Sequence, residues 1–341
     1  MRSKPIATFA ERQTCYTMKR FFSLNLRGRD FVWPMLGMWL LVLVVSGCTV
    51  AHFVAAAEST MTIVDGTFAL RLLLGVAIQI ALWSGVALTM LPIVQRSLVA
   101  TEFEGEAVEC TYDRRRYLGL VLGGVALSVV TCGLYLPWFI VRLMKFFAEG
   151  VSHRFNLVSF RGKGMRLFAI IILTAILPAV VVELVLVSVG YDAAAQPLDM
   201  MSFAPLLGLA VVLVELFFVS LFVVLLCRWM VDMTYGDKVI STRLSPLSAA
   251  GFVMWQLVLT VLTAGLYGPM AELRTMRYVA ERCVIVGPDG EKSMGLRLRS
   301  WRDWAWVWGQ VLIFVLTLGF YLPWYYAKMM SRFGSRLYVE E

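Results

Sequence analysis

Seven long apolar segments, separated by shorter polar connections, dominate the pattern of hydrophobic and polar positions along the chain. We place them, to within a few residues, at 31–55, 68–95, 117–141, 167–189, 203–227, 249–271 and 304–327. Each approaches or exceeds the roughly 20 apolar residues that a helix needs to cross a bilayer. The pattern therefore predicts an all-α polytopic membrane protein.

The composition supports this class. Hydrophobic residues make up 60% of the 341 residues and charged residues only 16%, which lies far outside the range of soluble globular proteins. The formal net charge of +8 would suggest a nucleic-acid ligand in a soluble protein, but in a membrane protein the position of each cation decides its meaning. We therefore expect no nucleic-acid partner.

The lysines and arginines are distributed unevenly between the connections. Two connections, at 55–69 and 190–203, contain none and carry only acidic charges, whereas the other connections and both tails are basic. Because basic loops stay in the cytoplasm, the two acidic connections should be external. The segments at 31–55, 68–95, 167–189 and 203–227 then cross the membrane, and the other three return to the cytoplasmic side.

An alternative topology lets each of these three remaining segments cross fully. It gives seven alternating spans, but it divides the cations 18 to 12 between the two sides, leaving out Arg71 at the start of the second segment. The charge distribution favours the returning topology.

The three returning segments share a seven-residue motif, Thr-x-Gly-x-Tyr-x-Pro, with a cation five residues after the proline. The first and third copies also have tryptophan directly after the proline, where the second has Met270. The motif residues are Thr131, Gly133, Tyr135, Pro137, Trp138 and Arg142; Thr263, Gly265, Tyr267, Pro269 and Arg274; and Thr317, Gly319, Tyr321, Pro323, Trp324 and Lys328.

Two interpretations of the motif compete. Glycine and proline four residues apart can break and redirect a helix, while tyrosine and a snorkelling cation suit the membrane interface. The motif is then a kink or a hairpin tip with an interfacial anchor. Alternatively, the broken helices assemble a solute site, as in many transporters. Gln256 and Gln310 lie seven residues before the motif threonine, on its helical face, where the first copy has Gly124.

The chain also repeats at a longer period of 132 to 134 residues. The first motif maps onto the second, Arg96 maps onto Arg228, and the run 27–29 maps onto 161–163. We predict a cytoplasmic lead at 1–19 and two tandem three-segment units at 20–150 and 153–283. A closing motif segment with the C-terminal tail follows at 284–341. Several short connections are β-prone and leave room for a small cytoplasmic β layer, and they lie at 108–112, 155–160, 239–244, 283–286 and 295–299.

The motif strings at 131–138 and 317–324, with a degenerate third copy at 263–269, resemble the YjgN family of bacterial inner-membrane proteins. The resemblance covers the motif regions and the general layout. It implies a multi-pass inner-membrane protein, and because that family has no assigned activity it transfers no catalytic residue.

Two carboxylates lie inside apolar segments. Counted from the external ends at 1.5 Å per residue, Glu183 lies about 9 Å deep and Glu215 about 18 Å deep. Intramembrane carboxylates are costly and suggest proton or cation coupling by default. Arg71 is a candidate partner for Glu183, which leaves a structural ion pair as the alternative for that residue.

The remaining chemistry is sparse. The two histidines are far apart in sequence and the six cysteines show no Cys-x-x-Cys spacing, so we expect no metal, no cofactor and no enzymatic activity. A membrane scaffold or envelope-associated interaction protein is the favoured function, with a transporter or channel as the alternative. Both termini should be cytoplasmic. The expected partners are anionic lipid headgroups and either another protein or a second copy of the chain.

Overall fold

The computed structural model describes residues 19–58, 66–103, 105–154, 156–188, 204–288 and 290–340. Almost all of the lead at 1–19 and the acidic side chains of the two connections predicted to be external lie outside the described part. The helices are α1 (Val32–Glu58), α2 (Gly66–Val99), α3 (Arg114–Val130), α4 (Leu136–Glu149), α5 (Gly164–Ile171), α6 (Leu177–Ser188), α7 (Ala204–Met230), α8 (Pro246–Leu262), α9 (Gly268–Ala280), α10 (Ser300–Leu316) and α11 (Leu322–Gly334). A 3-10 turn, Gly28–Phe31, precedes α1, and a π-helical turn, Ile172–Ile176, joins α5 to α6.

The prediction of an all-α fold built from seven apolar segments is wrong, because the described residues also form an antiparallel sheet of eleven short strands. These are β1 (Lys19–Leu24), β2 (Thr101–Phe103), β3 (Glu106–Ala107), β4 (Glu109–Cys110), β5 (Val151–His153), β6 (Asn156–Phe160), β7 (Met233–Tyr235), β8 (Lys238–Thr242), β9 (Cys283–Gly287), β10 (Gly290–Leu296) and β11 (Leu337–Glu340).

The sheet is nearly closed into a ring. Its order is β3-β2-β1-β11-β10-β9-β8-β7-β6-β5-β4, so that its two edges are β3 and β4, which only Val108 separates in the chain. The stretch 106–110 thus pairs with β2 through its first half and with β5 through its second half. The pairing of β1 with β11 joins the beginning of the described chain to its end.

Two kinds of connection alternate around this ring. Tight turns join β2 to β3, β5 to β6, β7 to β8 and β9 to β10. Helical hairpins join β1 to β2, β4 to β5, β6 to β7, β8 to β9 and β10 to β11. Because all neighbouring strands are antiparallel, connections of the same kind leave from the same rim of the ring. The five helical hairpins therefore all rise from one rim, and the tight turns lie at the opposite rim.

Two of the five hairpins, α1–α2 and α5–α7, contain the four helices that are long and apolar enough to cross a membrane. These helices lie within the four segments for which the charge distribution predicts crossing. Much of their surface is exposed leucine and valine, for example Leu40, Leu73, Leu184 and Leu209. Such surface suits contact with lipid tails.

The three motif segments form the shorter hairpins α3–α4, α8–α9 and α10–α11, in which both helices end at the sheet. Each segment thus begins and ends at the same rim, as in the returning topology. The helices pack into a second ring above the strands, because α2 contacts α3, α4 contacts α5, α7 contacts α8, α9 contacts α10, and α11 contacts α1.

The core consists mainly of apolar clusters between neighbouring hairpins. One cluster joins α2, α3 and α4 through Leu91, Tyr117, Val121 and Phe139. Asp113 caps the start of α3 by accepting a hydrogen bond from the Arg115 backbone, which satisfies one of the free N–H groups of the first turn.

The error in fold class has a physical cause. The β-prone stretches overlap β4, β6, β8, β9 and β10, but strands of two to seven residues are too short for their alternating pattern to predict a large sheet beside long apolar helices. The antiparallel partners of most strands also lie across an intervening helical hairpin, and no local pattern reveals such pairing.

Candidate functional site

The three motifs form the tips of the helical hairpins α3–α4, α8–α9 and α10–α11. In each tip the threonine Oγ1 accepts a hydrogen bond from the backbone N–H of the motif tyrosine, at 3.1, 3.0 and 3.2 Å in chain order. The same hydroxyl donates to the carbonyl four residues earlier in its helix. The threonine therefore bridges the end of one helix and the start of the next.

Two consecutive residues in each tip adopt a left-handed backbone. The motif glycines have φ of +86°, +88° and +87°, and the residues before them, Cys132, Ala264 and Leu318, have φ of +49°, +48° and +50°. Each glycine N–H bonds the carbonyl five residues earlier, which is the pattern of a Schellman helix end. The proline, second in the following helix, has no N–H to leave unpaired there.

In the second and third hairpins the tyrosine hydroxyl lies between an amide and a cation. Tyr267 donates to Gln256 Oε1 at 2.7 Å and accepts from Arg274 at 2.7 Å. Tyr321, Gln310 and Lys328 repeat this arrangement, again at 2.7 Å for both contacts. We call each set of three residues a polar relay. The structure thus brings together six motif and amide residues that the sequence singles out, three in each of the two hairpins.

The first hairpin has no polar relay. Gly124 replaces the glutamine, and the ring of Phe139 occupies the space, since a Cβ added to Gly124 would lie 2.0 Å from Phe139 Cδ2. The buried Tyr135 hydroxyl has no hydrogen-bond partner among the described residues. Arg142 does lie over the Tyr135 ring, 5.7 Å from its centroid, as the motif cations of the other two hairpins lie over theirs, at a distance where cation–π attraction acts.

The two hairpins whose helices are long and apolar enough to cross a membrane, α1–α2 and α5–α7, are called the spanning hairpins below. The tryptophan after the motif proline packs against the base of one of them. A Cβ on Gly164, at the start of α5, would lie 2.7 Å from Trp138 Cδ1, and one on Gly28, just before α1, would lie 2.5 Å from Trp324 Cδ1. Only glycine allows these close approaches. The second motif hairpin is followed by another motif hairpin rather than a spanning one, and this difference accounts for Met270 at its tryptophan position.

The intramembrane candidates are not brought together in the described part of the molecule. Arg71 lies in α2, but its side chain is outside that part, so the pair with Glu183 stays a prediction. Glu183 in α6 and Glu215 in α7 are both exposed on the helix surface. Glu215 lines a cavity of about 300 Å³ against the π-helical turn and Pro178, whereas Glu183 does not belong to its lining.

A buried carboxylate at the base of the third motif hairpin is missed by the sequence reasoning. Asp303 is 0% exposed and accepts hydrogen bonds from Arg332 at 2.9 Å, Arg336 at 2.7 Å and the Arg299 backbone at 2.6 Å. Burial raises the pKa of Asp303, but the hydrogen bonds from Arg299, Arg336 and Arg332 outweigh it and the net shift is downward. The signal available in the sequence is a pair of arginines four residues apart, Arg332 in the last turn of α11 and Arg336 just after its end.

The same helical position, fourteen residues before the motif threonine, is buried in all three hairpins but differs in chemistry. It is Tyr117 in α3, Ala249 in α8 and Asp303 in α10. The Tyr117 hydroxyl donates to the Ala87 carbonyl at 2.5 Å. The repeat therefore conserves the location of this contact with the core and varies its chemistry.

His153 lies in β5 and is buried, although its basic surroundings in sequence suggest a solvated loop. Its Nε2 is 3.2 Å from the Phe103 carbonyl, which can only accept, so this nitrogen carries the proton. Its Nδ1 is 2.7 Å from the Tyr235 hydroxyl. The imidazole thus links three strands of the ring.

Among the described residues, no cluster of three histidine, cysteine or acidic side chains could hold a metal ion. The features assembled above are four apolar helices in two hairpins, three shorter hairpins and a ring of strands beneath them. They indicate a membrane protein.

The chain belongs to the DUF898 family of bacterial proteins of unknown function, the YjgN family that its motifs resemble. The family model matches residues 6–158 and again residues 152–294. Two tandem matches support an internal duplication, while the unit boundaries and the functional importance of the motif residues stay predictions. No curated protein and no solved structure matches the chain.

Proposed function

We propose that the protein is a scaffold of the bacterial inner membrane that holds two spanning hairpins in fixed positions and presents them, with the ring of strands, to a protein partner. In this proposal the ring and both termini are cytoplasmic, and the chain catalyses no reaction. The arginines and lysines at the bases of the hairpins, on the ring side, support this orientation.

The observation that carries the proposal is the use of the motif side chains. The polar relays of the second and third hairpins bond within their own hairpin, and Trp138 and Trp324 pack onto the spanning hairpins beside them. The relay residues thereby stabilise their own hairpin, and the tryptophans fix its contact with the spanning hairpin beside it. A solute site would instead aim unpaired polar groups into a cavity.

Photo-crosslinking in living cells tests the scaffold. A benzophenone amino acid replaces one residue at a time. Two positions lie in the second spanning hairpin, Leu184 and Leu213, and two matched positions lie in the first, Leu40 and Leu73. The fifth is Asp237 in a tight turn. A scaffold gives a discrete protein adduct, with another protein or a second copy, on one of these faces. Lipid adducts alone at all five positions would contradict the proposal.

Transport is a second candidate, favoured by one observation. Glu215 lines its cavity beside a π-helical turn, and such turns are frequent at functional sites. In proteoliposomes, a transporter coupled through this carboxylate should lose pH-dependent ion flux in Glu215→Gln and retain it in Glu183→Gln, which removes a carboxylate outside the cavity. Equal flux in the wild type and both variants would rule this candidate out.

A further inference from the structure

A cavity lies at the base of the first spanning hairpin, on the side of the strands. It has a volume of about 730 Å³ and opens between the segment before α1, the end of α2 and the start of α3. We call it the basal cavity. Its volume suits a small ligand or a lipid headgroup.

Four guanidinium groups line the basal cavity, from Arg27, Arg29, Arg96 and Arg114, against one carboxylate, Asp30. Arg96 donates a hydrogen bond to the Asp30 backbone carbonyl, which fixes one of the four. Among the described residues, none of these arginines forms an ion pair within 4 Å. A cavity with this excess of guanidinium favours an anion, and guanidinium matches phosphate geometry well.

Part of the cavity wall is apolar and faces outward. Trp33, in the first turn of α1, is 85% exposed, and Val99, at the end of α2, is 54% exposed. Tryptophan is enriched at the membrane interface, where its ring lies at headgroup level. A ligand in the cavity would therefore contact both cations and the apolar surface of a spanning hairpin, which describes the phosphate end of a lipid better than a free phosphate.

The duplicated position in the second unit is closed. Ser97 in the first unit corresponds to Trp229, which is 2% exposed and donates its indole N–H to the Lys163 carbonyl at 3.2 Å. Ala100 corresponds to Asp232, which lies 3.8 Å from Arg161 and 3.7 Å from Arg166. The second unit thus fills the space with an indole and pairs its arginines with an acid, whereas the first unit does neither.

We propose that the basal cavity binds the phosphate group of an anionic phospholipid. The proposal rests on the membrane location of the spanning hairpins and is independent of whether the protein acts as a scaffold. One lipid phosphate would be held by arginines from the start of α1, the end of α2 and the start of α3, and would tie the first spanning hairpin to the first motif hairpin.

Native mass spectrometry of the full-length protein, titrated with phosphatidylglycerol, tests the site. Arg27→Gln with Arg29→Gln removes two cations, and Ala100→Asp adds the acid of the second unit while keeping every arginine. Each should weaken the tightest lipid adduct by about tenfold or more. Arg161→Gln with Lys163→Gln, the same charge change at the closed position, should change it by less than about twofold.

Two further arms identify the source of the phosphate. Phosphatidylcholine, titrated as a lipid without net charge, should bind less tightly than phosphatidylglycerol, and millimolar inorganic phosphate should leave the phosphatidylglycerol adduct in place. Displacement by inorganic phosphate would overturn the assignment to a lipid. Equal lipid affinity in the wild type, the arginine variant and Ala100→Asp would overturn the site itself.

Discussion

In the α3–α4 hairpin the space beneath the motif tyrosine is filled by Phe139, whereas in the α10–α11 hairpin the same space holds the Gln310 amide, bonded to Tyr321 and through it to Lys328. The two tips have nearly identical backbone, with glycine φ of +86° and +87°. The tip is therefore set by the local motif, and the interior is set independently by what packs against it.

The contrast extends to the base of each hairpin. The position of Asp303 in α10 is taken by Tyr117 in α3. The first hairpin is held by apolar packing around one tyrosine, and the third by a buried ion cluster and a polar relay. The same turn can thus join the helices of hairpins with different interiors. Substitutions at matched positions in the two hairpins distinguish the contribution of apolar packing from that of the ion cluster and the polar relay.

The largest expected effect is at Asp303. Asp303→Ala leaves Arg332 and Arg336 without their carboxylate, and removing one partner of a buried pair costs about 3–5 kcal/mol. Tyr117→Phe, at the matched position in α3, removes one hydrogen bond and should cost about 1 kcal/mol. Unfolding in mixed micelles measures both, and equal losses would contradict the different roles assigned to the two bases.

The Asp303 cluster also has a pH signature. Because the folded-state pKa of Asp303 is lowered, its contribution to stability is full above the unfolded pKa of about 3.9 and is lost as the pH falls through the folded value. The difference in unfolding free energy between the wild type and Asp303→Asn should therefore shrink below about pH 4. A constant difference down to the acid limit would contradict this linkage.

The next prediction concerns variants that give the interior of the first motif hairpin the residues of the second. Gly124→Gln forces a side chain into the space of Phe139 and should cost about 2–3 kcal/mol, since overpacking displaces neighbours. Adding Phe139→Ala reproduces the Gln256 and Ala271 pair of the second hairpin and should recover most of the loss. If the double variant is no more stable than Gly124→Gln, the interiors are not interchangeable.

A smaller effect compares the two tyrosine hydroxyls. Tyr321→Phe leaves Gln310 and Lys328 without their common partner and should cost about 1–2 kcal/mol. Tyr135→Phe removes a hydroxyl with no partner among the described residues, so it should be neutral or slightly stabilising. The unfolding midpoints of the two variants give the difference, and a greater loss for Tyr135→Phe would contradict the assignment of the relay.

The smallest effect tests the shared tip. Ala264 has φ of +48°, a conformation that costs an L-residue about 1 kcal/mol. Ala264→Gly should relieve this strain and raise stability by up to about 1 kcal/mol, whereas Gly265→Ala, next to it at +88°, should lower it. A destabilising Ala264→Gly would mean that the tip is not strained.

Local patterns in the sequence predict the parts of this structure that depend on local chemistry. The motif marks all three hairpin tips, and the cation distribution separates the four spanning helices from the returning segments. The heptad spacing of Gln256 and Gln310 before the threonine places them on the face where their tyrosines lie. In each case the partners are within a few turns of one helical hairpin.

The parts that depend on distant partners were not predictable in this way. Asp303 meets Arg332 and Arg336 only after the chain reverses at the third tip, and His153 meets Tyr235 and Phe103 from two other strands. The ring itself closes through β1 and β11, at opposite ends of the chain. The periodicity of hydrophobic residues in a single sequence carries no information about such long-range pairings.

The central claim, that all five helical hairpins leave one rim of the ring, is tested most directly by which side of the membrane each tight turn occupies. Glu106→Cys and Asp237→Cys, each alone in a cysteine-free protein, place a thiol beside the β2–β3 turn and in the β7–β8 turn. A membrane-impermeant maleimide should reach both from the same side of the membrane, the cytoplasm. Labelling of the two positions from opposite sides would show that one of the two hairpins between them, α3–α4 or α5–α7, does not return to the rim it left, and would contradict the account.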